Sequence, residues 1–123
     1  MTVSTKSDVV LVVEDDEATQ SALSELVELD KFVVARASNG AEALEYLRTS
    51  PQPPRLIVLD LTLPKLDGYQ FLAEQKKDSA FSRIPTIVTT GRSPAEANHI
   101  DVEAIFYKPV DVRLFLDVIS HYH

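Results

Sequence analysis

The chain has 123 residues, 45% of them hydrophobic, and carries 19 acidic against 12 basic side chains for a net charge of −7. That is enough chain for one domain with one core. The shortage of basic residues argues against direct nucleic-acid binding, since phosphate neutralisation needs a basic face. Cysteine is absent, which excludes a disulfide framework and thiolate chemistry, and His99, His121 and His123 lack zinc-ligand spacing. The longest apolar run, Val9–Val13, is too short to cross a membrane, and the first eight residues are too polar for a secretory signal. A cytoplasmic protein without membrane insertion is expected, with a polar tail at 1–8 and one domain at 9–123.

In chain order, Val9–Val13 has the length and composition of a buried strand. Ala22, Leu23, Leu26, Val27 and Leu29 then form a helical stripe. Residues 32–37 read as a second strand, and Arg36 within it suits a sheet edge. Ser38 or Asn39 can cap a helix that buries Ala43, Leu44 and Leu47, before a stiff loop at Ser50-Pro51-Gln52-Pro53-Pro54. Residues 56–59 form a third strand, Asp67-Gly68 a turn, and Tyr69, Phe71 and Leu72 open a third helix. Residues 86–89 form the fourth strand. A weak helical segment follows Ser93-Pro94, and Ala104–Tyr107 is the fifth strand. Asp111 caps a last helix with Leu114, Phe115, Val118 and Ile119 on its inner side.

Five β-α alternations with continuously apolar strands imply a parallel sheet covered on both faces. Right-handed crossovers then give a doubly wound, flavodoxin-like sheet in the order 2-1-3-4-5. The polar residues after the strands therefore meet at one edge: Glu14-Asp15-Asp16, Asp60, Thr89-Thr90-Gly91 and Lys108-Pro109. Taken singly, these are ordinary caps, turn residues and a surface lysine. Capping gives no reason, however, for carboxylates on neighbouring strands, a hydroxyl on the next and an ammonium beyond it. Clustered carboxylates resist joint ionisation, and Mg²⁺ relieves that repulsion through oxygen ligands. Metal, hydroxyl and ammonium together suit phosphoryl transfer onto a carboxylate.

From Val9 to about Ser120 the sequence resembles the receiver domain of bacterial two-component response regulators. The resemblance rests on Glu14-Asp15-Asp16 after the first strand and on Asp60 through Gly68. It rests also on Thr89-Thr90-Gly91 after Ile84-Pro85, and on Lys108-Pro109. It implies Asp60 as phosphoacceptor, with Thr90 and Lys108 contacting phosphoryl oxygens. It further implies Mg²⁺ held by Asp15 and Asp60, by Glu14 through water and by the backbone carbonyl of Thr62. Gly91 would leave room for donor or water, Asp16 would be a cap, and the Lys108-Pro109 bond would be cis.

Two departures stand out. Ile105 occupies the place where the family often carries an aromatic switch residue, and side-chain alternation is read as setting Tyr107 apart from that place. The spacing from Thr90 to Lys108 is short by about one helical turn, so a shortened or irregular fourth helix is expected. The face built from the fourth helix, fifth strand and fifth helix is then a poor dimer surface, and a monomer is expected.

The resemblance implies a single-domain response regulator. A histidine kinase or phosphotransfer protein would phosphorylate it, and it would signal to a downstream target protein. It would catalyse its own phosphorylation and dephosphorylation without being a dedicated metabolic enzyme. The alternatives are a receiver-like scaffold that works without phosphorylation, or a receiver excised from a larger regulator. A Mg²⁺-dependent phosphohydrolase would want a carboxylate at position 62, where Thr62 stands. A flavodoxin-type cofactor binder would want a phosphate cradle where Glu14-Asp15-Asp16-Glu17 stands.

Overall fold

The apolar runs become strands and the segments between them helices. The computed structural model describes residues 8–63, 65–93, 96 and 100–123. Its elements, numbered here in chain order, are β1 (Val9–Val13), α1 (Glu17–Leu29), β2 (Val33–Ala37), α2 (Gly40–Thr49), β3 (Leu56–Asp60), α3 (Gly68–Lys77), β4 (Thr86–Thr90), β5 (Ala104–Tyr107) and α4 (Val112–Ser120). The strands are parallel, in the order β2-β1-β3-β4-β5. The expected sheet is therefore found, with β2 at the edge and Arg36 exposed on it.

Alternation along the strands divides the core into two layers. Leu11, Val13, Ile57, Leu59 and Val88 pack with Leu44 and Leu47 of α2 and Phe71 and Leu72 of α3. Val10, Val12, Leu56, Val58 and Ile87 pack with Leu23 and Val27 of α1 and Phe115 and Ile119 of α4. Burial on both faces is why β3 and β4 are inaccessible along their whole length. Each fully buried Phe or Leu is worth roughly 1.5–3 kcal/mol.

The helices begin where short polar residues can accept their free N–H groups. Asp16 caps α1, Asn39 α2, Asp67 α3 and Asp111 α4, each side chain accepting from an N–H three residues on. Asp67 and Gln70 complete a reciprocal capping box.

Two expectations about the helices change, and a third falls outside the described residues. The buried side of α1 is Gln20, Leu23, Ser24 and Val27, whereas Ala22 and Leu29 face solvent. Gln20 goes inward because its Nε2 donates to the Val12 and Ala37 carbonyls at 3.0 and 3.2 Å, and Ser24 Oγ donates to Gln20 Oε1 at 2.8 Å. Leu114, expected inside, is half exposed, because α4 turns only Phe115 and Ile119 fully inward. The shortened fourth helix expected after Ser93 falls largely on residues 94, 95 and 97–99, outside the described residues, as does most of the polar tail at 1–8. Among the described residues no helix is long and apolar enough to cross a membrane.

Candidate functional site

Four strand ends deliver their polar residues to one edge of the sheet. β1 is followed by Glu14, whose N–H donates to the Ala37 carbonyl at 3.0 Å, so that its side chain stays buried. β3 ends on Asp60, 3% exposed. β5 is followed by Lys108, whose N–H donates to the Thr90 carbonyl at 2.8 Å, and the Lys108-Pro109 bond is cis. Carboxylate oxygens of Glu14, Asp15 and Asp60 lie within 4.8 Å of one another, with Asp15 exposed above the two buried acids.

Lys108 ties this cluster together. Its Nζ donates to Glu14 Oε1 at 2.9 Å and to Asp60 Oδ2 at 3.4 Å. The remaining oxygens are also fixed. The Asp16 N–H donates to Glu14 Oε2, and the Thr62 N–H to Asp60 Oδ1, each at 3.1 Å. Asp60 is thus oriented by an ammonium on one oxygen and a backbone amide on the other.

The charges shape one another's protonation. Burial pushes Glu14 above the ordinary glutamate value, against the pull of its hydrogen bonds from Lys108 and Asp16, and the Asp60 charge adds to the rise. Burial pulls the Lys108 ammonium down, but the hydrogen bond to Glu14 and the two carboxylate charges outweigh it and leave Lys108 above the ordinary lysine value. Asp16 is lowered by hydrogen bonds from the Thr19 hydroxyl and N–H. It is committed to capping α1, as the sequence suggests.

A raised carboxyl pKa has a definite sign in stability. The folded state holds the Glu14 proton more tightly than the unfolded chain does, so this contribution is complete below the unfolded value of 4.5 and is lost as pH rises through the folded value. Without divalent cation, the stability of the parent relative to Glu14→Gln should fall as pH rises from 4.5 to 8. Urea unfolding of both proteins across that range checks this, and parallel pH curves would refute it.

Both threonines at the end of β4 are fully buried. Thr90 Oγ1 accepts the Arg92 N–H at 3.0 Å, which leaves its own proton available to a ligand oxygen. Thr89 is the lateral neighbour of Asp60, and its Oγ1 is buried without a hydrogen bond among the described residues. A strip of two consecutive threonines does not reveal which hydroxyl is bonded, so the sequence could not separate them in this respect. Among the described residues nothing lies within 4 Å of a Cβ built on Gly91, so none of them fills the space beside Thr90.

The reading of β5 needs correction. Ile105 and Tyr107 are two residues apart and share a face, both packing against the layer that holds Val88, while Phe106 joins the opposite layer. Alternation therefore places Tyr107 with Ile105 rather than apart from it. Tyr107 is the lateral neighbour of Thr90.

The model of the response regulator receiver domain matches residues 10–120. The chain belongs to this family. This receiver domain is 32% identical over 117 residues to the polar-differentiation response regulator DivK of Brucella anthropi, covering 92% of this chain and 94% of that one. It is 31% identical over 84 residues to the sensor histidine kinase CheAY of Helicobacter pylori, covering 68% of this chain but only 10% of that protein. The crystal structure of the Mn²⁺-bound response regulator Rcp1 superposes with a TM-score of 0.75 at 27% identity, covering 92% of this chain and 89% of that one. A doubly wound receiver fold and phosphorylation-based signalling are the properties of the family to which the chain belongs. Its acidic cluster has the oxygen donors that a hard divalent cation requires.

Proposed function

We propose that this receiver domain is a phosphorylation switch in which Asp60 accepts a phosphoryl group, residues 9–123 being the working unit. The observation that carries the reading is Lys108 Nζ bridging Glu14 and Asp60 at 2.9 and 3.4 Å, beside the carboxylate of Asp15. Glu14, Asp15, Asp60 and the Thr62 carbonyl would hold Mg²⁺, a choice supported by the all-oxygen donor set and by the Mn²⁺ in Rcp1. Mg²⁺, when bound, supplies positive charge against the transferring phosphoryl oxygens.

The chain's own residues do the rest. Asp60, with both oxygens pinned, presents a carboxylate oxygen that bonds to phosphorus as the phosphorus–nitrogen bond of a phosphohistidine donor breaks. The leaving imidazole keeps the electron pair and takes up a proton. Lys108 exchanges a carboxylate contact for a phosphoryl oxygen, and the free proton of Thr90 donates to another. Later attack by water on phosphorus regenerates the Asp60 carboxylate and releases phosphate. The added charge of about −1.5 to −2 is what pulls these groups into their new positions.

The donor is a histidine kinase or phosphotransfer protein, and the output is contact with a target protein in the cytoplasm. The protein catalyses its own phosphorylation and dephosphorylation and has no separate metabolic reaction.

Incubation with acetyl phosphate and Mg²⁺ should add one phosphoryl group by intact mass, and Asp60→Asn or removal of Mg²⁺ with EDTA should abolish the addition. Equal labelling of the parent and Asp60→Asn would overturn the proposal.

A further inference from the structure

The opposite edge of the sheet holds a second feature that the phosphorylation switch does not use. The segments entering β3 and β4 and the residues leaving α4 enclose an open hollow of about 530 Å³. That volume is within the range of small-molecule sites, about 300–1,000 Å³. Its polar lining is Arg55, Arg83, His121 and His123, and flat apolar walls come from residues such as Pro54 and Tyr122. No Asp or Glu lines it among the described residues, in a chain where acids outnumber bases by 19 to 12.

The two arginines are placed differently. The Arg55 guanidinium is largely buried. Its Nη1 donates to the Tyr122 carbonyl at 3.1 Å and its Nη2 lies 3.4 Å from Asp8, so it is held rigid before any ligand arrives. Arg83 is exposed, and no carboxylate pairs with it among the described residues. A guanidinium presents a planar fork of donors that matches phosphate oxygens, and prolines and a tyrosine offer flat faces to a ring. Preorganisation of the first arginine lowers the ordering cost of binding.

We propose that this hollow is a binding site for a small organic phosphate with a flat ring, of the nucleoside phosphate class. Arg83 takes the phosphate, Arg55 supports it, and the apolar walls cover the ring. An occupant would brace the end of α4 against the start of β3, because Arg55 already joins these two places.

The test uses ADP as probe, in EDTA so that the carboxylate edge cannot contribute through a metal. Titration followed by backbone amide NMR should move the signals of Arg55, Arg83, Ile84, His121 and Tyr122. Adenosine and inorganic pyrophosphate, which carry the ring and the charge separately, should each bind at least about tenfold more weakly than ADP. Arg83→Gln should weaken ADP binding about tenfold or more with an unchanged melting temperature. Arg55→Lys, which keeps the charge and loses the fork, should also weaken it. Asp60→Asn should bind as the parent does, which separates this site from the phosphorylation edge. Absence of shifts at millimolar ADP, shifts at Glu14 and Asp60 instead, equal affinity in Arg83→Gln, or pyrophosphate binding as well as ADP would each overturn the proposal.

Discussion

Replacing Lys108 by Met should destabilise the protein by about 2 kcal/mol at pH 8 without divalent cation, and Mg²⁺ should restore most of the loss. Met keeps the aliphatic stem and removes the ammonium, so packing changes little. What remains is Glu14 and Asp60, with side chains 1% and 4% exposed, facing each other without a counter-charge. Removing one partner from a fully buried pair costs about 3–5 kcal/mol, and the figure is reduced here because Lys108 is 30% exposed. In a domain of this size the loss corresponds to a fall of roughly 8 °C in Tm. The difference should shrink towards pH 5, because Glu14 already holds its proton more tightly than an ordinary glutamate and can neutralise itself. A cation that binds only the folded state stabilises by mass action, and it gains most where it replaces a missing charge. Melting curves of both proteins at pH 5 and 8, with and without Mg²⁺, decide the matter. Identical apo curves at pH 8, or an equal Mg²⁺ effect on both, would show that Lys108 does not balance these carboxylates.

The same residue shows what the sequence made legible. Lys108 lies 48 residues from Asp60 and 94 from Glu14, yet strand order alone brings the three together. Continuous apolar strands alternating with amphipathic segments admit few topologies, and in the doubly wound one these residues share an edge. Residues at strand ends are placed by backbone topology, which pattern reveals. Burial on α1 was less legible. Gln20 lies inside because it donates to strand carbonyls and Ser24 because it donates to Gln20, and polar side chains give no apolar signal of such burial. Leu29 and Leu114 lie outside because a helix on an open sheet buries only a narrow stripe, and hydrophobicity alone does not tell its edge from its centre. At β5 the reading failed by misapplying period two, since Ile105 and Tyr107 share a face.

The carboxylate edge depends as much on a close backbone approach as on its charges. At Gly68, the first residue of α3, a Cβ would lie 2.6 Å from the Leu61 Cα and 2.7 Å from the Asp60 carbonyl oxygen. Both are backbone atoms, and the Gly68 N–H donates to the Leu61 carbonyl at 3.0 Å. A flexible side chain could move aside, but the end of β3 cannot move without carrying Asp60 and Thr62 with it. Gly68→Ala is therefore expected to cost about 3 kcal/mol or more, at the upper end of overpacking. Helix propensity alone predicts the opposite sign, since Ala is favoured over Gly inside a helix by about 1 kcal/mol. Gly91→Ala is the matched control, because its Cβ would meet none of the described residues within 4 Å, and its stability should stay within about 0.5 kcal/mol of the parent. The displaced Asp60 should also lose phosphorylation by acetyl phosphate under conditions where Gly91→Ala stays folded. Urea unfolding of the three proteins supplies the comparison. A Gly68→Ala variant as stable as the parent would mean that α3 can withdraw from β3 at no cost, and that the close approach does not hold Asp60 in place.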